Sequence, residues 1–143
     1  MKVLSNASIY GLRALIYVAS QKNEKEYVSI REMSESMDIS FHFLTKILQT
    51  LTKNGILYSS RGPHGGVALT RPPGQVFMVE IVKILEGEDY FDTCFLGHPD
   101  CGIAAPCPMH DFWINVKSVF LDRFEKTSLE ELSAKIKEGK LRL

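Results

Sequence analysis

Apolar residues recur at helical spacing over Asn6–Ser20, where Tyr10, Ala14, Tyr17 and Val18 share one face, and this predicts a first helix. The polar stretch Gln21–Tyr27 interrupts the pattern. Ser29-Ile30-Arg31-Glu32 then has the form of a capping box, with a Ser oxygen for an orphan backbone amide and a Glu that reaches back to the cap. It predicts a short helix to about Met37. Ser40 can cap the next helix, which places Phe43, Leu44, Ile47, Leu48 and Leu51 on its inner face and stops at Asn54-Gly55, a pair suited to left-handed backbone. Two short strands, Ile56-Leu57-Tyr58 and Val67-Ala68-Leu69, flank the turn Arg61-Gly62-Pro63-His64-Gly65-Gly66. Gln75 to Glu86 is apolar nearly all round, which predicts a buried helix ended by Gly87. Little periodicity follows until Pro108. The pattern returns from Met109 to about Lys126, with Trp113, Val116, Phe120 and Phe124 along one stripe, and Ser128-Leu129-Glu130-Glu131 opens a last short helix.

Two short helices joined around Asp38-Ile39 make a helix-turn-helix whose second member is the recognition helix, and the strand pair makes a wing. The expected fold is mainly α with a small β-wing. Residues 1–75 form a winged helix-turn-helix DNA-binding region. Residues 76–143 hold a buried helix, a cysteine loop (87–108), a long dimerisation helix and a C-terminal helix. Phe112, Trp113, Phe120 and Phe124 present more aromatic surface than a small core covers. Two readings are open: these rings meet a partner helix, or they close the chain's own core. A homodimer is the favoured one, because helix-turn-helix proteins read paired half-sites.

Composition alters this picture little. The chain has 143 residues, of which 45% are apolar and 24% charged, enough for one domain with appended helices. No apolar run approaches the roughly 20 residues that cross a bilayer, and no signal-peptide pattern opens the chain, so a cytoplasmic protein without a membrane partner is expected. Charge matters more. The net charge of zero hides a division, with 9 Lys/Arg against 5 Asp/Glu in residues 1–75 and 8 against 12 in the rest. From Ile39 to Val79 there is no acidic residue at all, while Lys46, Lys53, Arg61 and Arg71 all fall there. Such a one-signed face suits a polyanion, double-stranded DNA first; an acidic protein is the other reading. Ser40, His42, Thr45, Lys46 and, one turn on, Gln49 are expected to reach base edges in the major groove. Arg61 suits a narrow minor groove, and Gly62 and Gly65 beside it permit close approach to phosphate. His64 at the wing tip either adds a phosphate contact or is a solvated loop histidine.

Cys94, Cys101 and Cys107 are the only cysteines. An odd, clustered set reads as metal or redox chemistry rather than a disulfide framework. Structural zinc favours close C-x2–4-C pairs, which are absent, whereas a loop of soft thiolates can wrap an iron–sulfur cluster. A thiol switch, another metal, or free thiols remain alternatives, and Cys107-Pro108 has the form of a haem-regulatory dipeptide. His98, beside Pro99, is a further candidate ligand or a solvated side chain. A cysteine nucleophile with His98 or His110 as base has no other support: there is no oxyanion device and no nucleotide loop, so no enzyme is expected.

Together, Ser40-Phe41-His42-Phe43-Leu44-Thr45-Lys46-Ile47-Leu48, Lys53-Asn54-Gly55-Ile56-Leu57, Ser60-Arg61-Gly62-Pro63-His64-Gly65-Gly66 and the cysteine trio resemble the signature of the Rrf-two family of bacterial transcription regulators. The resemblance runs from Met1 to about Leu132 and includes Glu86-Gly87 and Thr127-Ser128-Leu129. It implies a winged-helix homodimer on promoter DNA whose binding is controlled by an iron–sulfur cluster, as in the IscR and NsrR types, and the expected protein is a repressor or dual regulator gated by that cluster. A redox-sensing 2Fe-2S cluster on Cys94, Cys101 and Cys107 is implied, with His110 at the place where the IscR type has its histidine ligand. Cys94 and Cys101 are one residue further apart than in that type. The NsrR type takes a carboxylate from the first helix, but Asn6-Ala7-Ser8-Ile9-Tyr10 offers none. Without a cluster, the expected alternative is a thiol- or other-metal-sensing winged-helix regulator.

Overall fold

The computed structural model describes residues 1–21, 26–100, 102, 104–137 and 143. Helix α1 (Asn6–Ser20) is capped by Ser5, whose hydroxyl accepts from the Ser8 amide at 3.2 Å. Helix α2 (Ile30–Met37) starts at Ser29, which accepts from the Glu32 amide, as the capping pattern predicts. The turn after it is made by Asp38 in the left-handed region (φ 52°), a conformation short polar side chains tolerate. Helix α3 (Phe41–Lys53) is capped by Ser40. Its inner face is Leu44, Ile47, Leu48 and Leu51, all buried. Phe43 departs from the expectation. It is 37% exposed and rests edge-on against Tyr10.

Strands β1 (Leu57–Ser60) and β2 (Gly66–Leu69) pair antiparallel, with Leu57 opposite Leu69 and Ser60 opposite Gly66. The five residues between them form the wing tip. Gly62 has φ +105°, open to glycine without strain. Gly66 is fixed by proximity instead, since a Cβ there would collide with the Val28 carbonyl. That contact belongs to the bridge Val28–Val67, which ties the wing to the segment before α2.

The helix expected over Gln75–Glu86 begins later, at Met78 (α4, Met78–Glu86). Pro73–Gln75 is a tight 3-10 turn, and Val76 and Phe77 are extended because they bond to the chain before the last helix. The Met78 amide donates to the Thr127 carbonyl and the Leu129 amide to the Val76 carbonyl, each at 2.9 Å. Only Ile81 and Val82 of α4 are fully buried; its other apolar residues are half-buried. Helix α5 (His110–Lys126) and helix α6 (Leu129–Lys137) complete the chain, the latter opened by Ser128, which accepts from the Glu131 amide.

Helix α1 is the centre of the core and packs against α3, α4 and α6. Leu15, Leu44, Leu51, Ile56, Ile81 and Leu129 are wholly shielded from water, each worth about 1.5–3 kcal/mol of apolar burial. Helix α5 lies outermost, with only His110 and Phe124 buried. Phe124 seats against Phe91 of the chain's own core, centroids 5.7 Å apart, while Phe112 and Val119 are 57% and 71% exposed. No helix among the described residues is long and apolar enough to cross a membrane.

Candidate nucleic-acid interface and cysteine site

The packing that buries Leu44, Ile47, Leu48 and Leu51 turns the opposite face of α3 outward. Ser40, His42, Lys46 and Gln49 are exposed on it, and Thr45 is half-buried with its hydroxyl donating to the Phe41 carbonyl at 2.7 Å. That leaves the Thr45 oxygen as an acceptor. On the wing, Arg61, Gly62 and His64 are exposed and Gly65 is half-buried, its amide donating to the Gly62 carbonyl. Lys46, Lys53 and Arg61 make no ion pair among the described residues. Arg71 is different: it is neutralised by Glu80 of α4 and donates to the Gln75 carbonyl. The acid-free stretch therefore contributes three of its four cations to the open face. One residue outside that stretch joins them. Arg31 of α2 lies over the Phe41 ring, 4.6 Å from its centroid, beside the start of α3. Nothing in the charge pattern signalled it, because the contact depends on how α2 crosses α3.

The cysteine loop brings Cys94 and Cys107 together. Their sulfurs are 3.8 Å apart although they lie 13 positions apart in sequence. The chain folds back around Cys94 through a turn in which the Gly97 amide donates to the Cys94 carbonyl and Gly97 takes φ +78°. The turn leaves the backbone amides of His98, Leu96 and Gly97 near the Cys94 sulfur, where their dipoles favour the thiolate. The His98 amide is the leading influence; with the Leu96 and Gly97 amides and the Cys107 thiol it outweighs desolvation and holds the Cys94 thiol below its ordinary range. The thiolate is the form that ligates metals and attacks disulfides. His98 thus acts through its backbone, and its side chain is exposed. His110 is the first residue of α5; its amide donates to the Cys107 carbonyl at 3.0 Å and its side chain is buried. Cys101 lies outside the described residues, and among those described no three His, Cys, Asp or Glu side chains gather as a metal site.

Helix α5 grips the loop just before Cys94. The Trp113 indole donates to the Thr93 carbonyl at 2.8 Å and the Lys117 ammonium to the same oxygen at 3.2 Å. The Trp113 ring also meets Phe95 edge-on at 5.3 Å. Beside it an apolar groove of about 530 Å³ runs between residues 1–3, Phe91, Phe95, Val116 and Phe120.

An exposed recognition helix with a cationic glycine wing defines a winged helix-turn-helix DNA-binding protein. The family described as Rrf2, iron-dependent transcriptional regulator, matches residues 4–135, and the chain belongs to that family. It is a DNA-binding transcriptional regulator, and its relatives are regulators rather than enzymes. The regulator NsrR of Bacillus licheniformis is 30% identical over 130 residues, 90% of each chain. The regulator IscR of Xenorhabdus nematophila is 30% identical over 129 residues, 90% of this chain and 77% of its own. The solved structure of CymR, the global cysteine regulator of B. subtilis, shares the fold with a TM-score of 0.79 at 24% identity, covering 94% of this chain and 98% of that one.

Proposed function

We propose that this protein is a homodimeric, cytoplasmic repressor of bacterial promoters whose operator binding is gated by an iron–sulfur cluster of the 2Fe-2S type. Cys94, Cys101, Cys107 and His110 would hold the cluster. The observation that carries this reading is the juxtaposition of the Cys94 and Cys107 sulfurs, 3.8 Å apart. Soft thiolates stabilised by backbone amides fit the donor set such a cluster takes. When bound, the cluster supplies one-electron redox chemistry. The chain's own part is to order the loop 87–108 between α4 and α5. The exposed Phe112 and Val119 on α5 and the groove beside them support a second copy as partner, with residues 1–75 presenting two recognition helices and two wings to DNA. Ser40, His42, Thr45, Lys46 and Gln49 would read base edges, and Arg61, Gly62, His64 and Gly65 would follow the backbone and minor groove.

Purification without air tests the cofactor. The wild-type chain should be brown with visible absorption, and Cys94→Ala, Cys101→Ala or Cys107→Ala should be colourless. A colourless wild type that retains no iron after reconstitution contradicts the reading. The same sulfur pair favours a second one, a thiol-sensing regulator. That protein would be colourless, would form a Cys94–Cys107 disulfide under mild oxidation, and would change operator affinity when it did.

A further inference from the structure

Both neighbours of Cys94 are held by one side chain. Thr93 offers its carbonyl to the Trp113 indole at 2.8 Å, and Phe95 lies against the same ring at 5.3 Å. Lys117, one turn further along α5, adds a charged donor to the Thr93 oxygen. From Thr93 to Pro108 the described residues form no helix or strand, and Phe95 is 49% exposed. We infer that Trp113, seconded by Lys117, is the positioning residue that holds Cys94 against Cys107 and the start of α5.

The chemistry of the contacts favours this over simple packing. A Trp that only filled the apolar groove would leave its N–H to water, whereas here the N–H meets a carbonyl one residue from the sulfur. A hydrogen bond from a cation is stronger than a neutral one, so Lys117 reinforces the same point. Trp113 is also one turn after His110, so the clamp and the proposed fourth ligand ride on one helix. Movement of Cys94 would therefore be felt by α5, which carries the exposed apolar face. This regulatory meaning rests on the proposed function; the placement of Cys94 does not.

The test is run on the full-length, cluster-free chain with Cys101→Ser in every variant, so that only Cys94 and Cys107 can pair. It is equilibrated in a glutathione buffer of thiol and disulfide. Cys94 thiolate attacks the small disulfide and expels one glutathione thiolate; Cys107 then attacks the mixed disulfide and expels the second. Two thiol protons are released to solvent and the two electrons pass to glutathione. The disulfide fraction, read by mass spectrometry, gives the effective concentration of the pair. Trp113→Phe, which keeps a ring and loses the N–H, should lower it roughly three- to tenfold, as should Lys117→Met. Lys117→Arg should preserve it, and circular dichroism checks that each variant is folded. If Trp113→Phe and Lys117→Met both stay within about twofold of the parent, the clamp does not position Cys94. A colourless wild type would sink the cluster reading yet leave this measurement standing, because no metal enters it.

Discussion

Glu86 ties together two ends of the fold. It is the last residue of α4, yet its carboxylate accepts from the Ser5 amide at 2.7 Å, at the positive start of α1. Burial opposes its ionisation, but bonds from the Ser8 hydroxyl, the Ser5 amide and the Ser5 hydroxyl prevail, and the carboxyl is held below its ordinary value of 4.5. A depressed folded value means stability that is fully present above 4.5 and is lost as pH falls through the folded value. The melting temperature of wild type should therefore exceed that of Glu86→Gln by a constant margin near pH 7, and the margin should shrink as pH falls below 4.5 through the folded value. An equal margin at both ends of that range would remove the carboxylate's role. At this scale the sequence showed what depends on local spacing. Ser29, Ser40 and Ser128 sit as caps where their patterns place them. The Ser5–Glu86 bond spans 81 residues, and the amides around Cys94 belong to the backbone; no side-chain pattern announces either.

Among the elements, the wing carries the sharpest expectation. Gly66 passes too close to Val28 for any side chain, which holds the end of the Arg61–Gly65 loop against the segment before α2. Arg61 stands on that loop, exposed and without an ion pair among the described residues. Arg61→Ala should weaken operator binding by about 1–3 kcal/mol if the guanidinium enters the minor groove. If it neutralises a phosphate instead, the log–log salt dependence should flatten by about 0.9 per subunit. Titrations at several salt concentrations separate the two, and unchanged affinity and slope would exclude the wing from the interface. Helix boundaries were legible where a capping serine opens the periodic stretch, as at Ser29 of α2 and Ser40 of α3. They failed at α4, where pairing of Val76 with Leu129, distant in sequence, keeps the chain extended as far as Phe77.

For the whole molecule, the hydrophobic pattern was enough to specify a mainly helical fold with a two-stranded wing. It gave less about α5, because a stripe of aromatics reads alike whether it faces the chain's own core or a second copy. Phe124 turns inward to Phe91, Trp113 turns to the Thr93 carbonyl, and Phe112 and Val119 remain open. This arrangement links the cysteine loop to the face proposed for dimerisation; in the proposed dimer a change at the loop would alter the spacing of the recognition helices. The central claim is that the cysteine site controls DNA binding. It is tested most directly by fluorescence anisotropy on a selected operator, with cluster-loaded and cluster-free forms of one preparation compared at fixed salt. The account predicts affinities that differ by at least about fivefold, the lower end of typical allosteric coupling, with Cys94→Ala matching the cluster-free form. Equal affinities for loaded and cluster-free protein would contradict it.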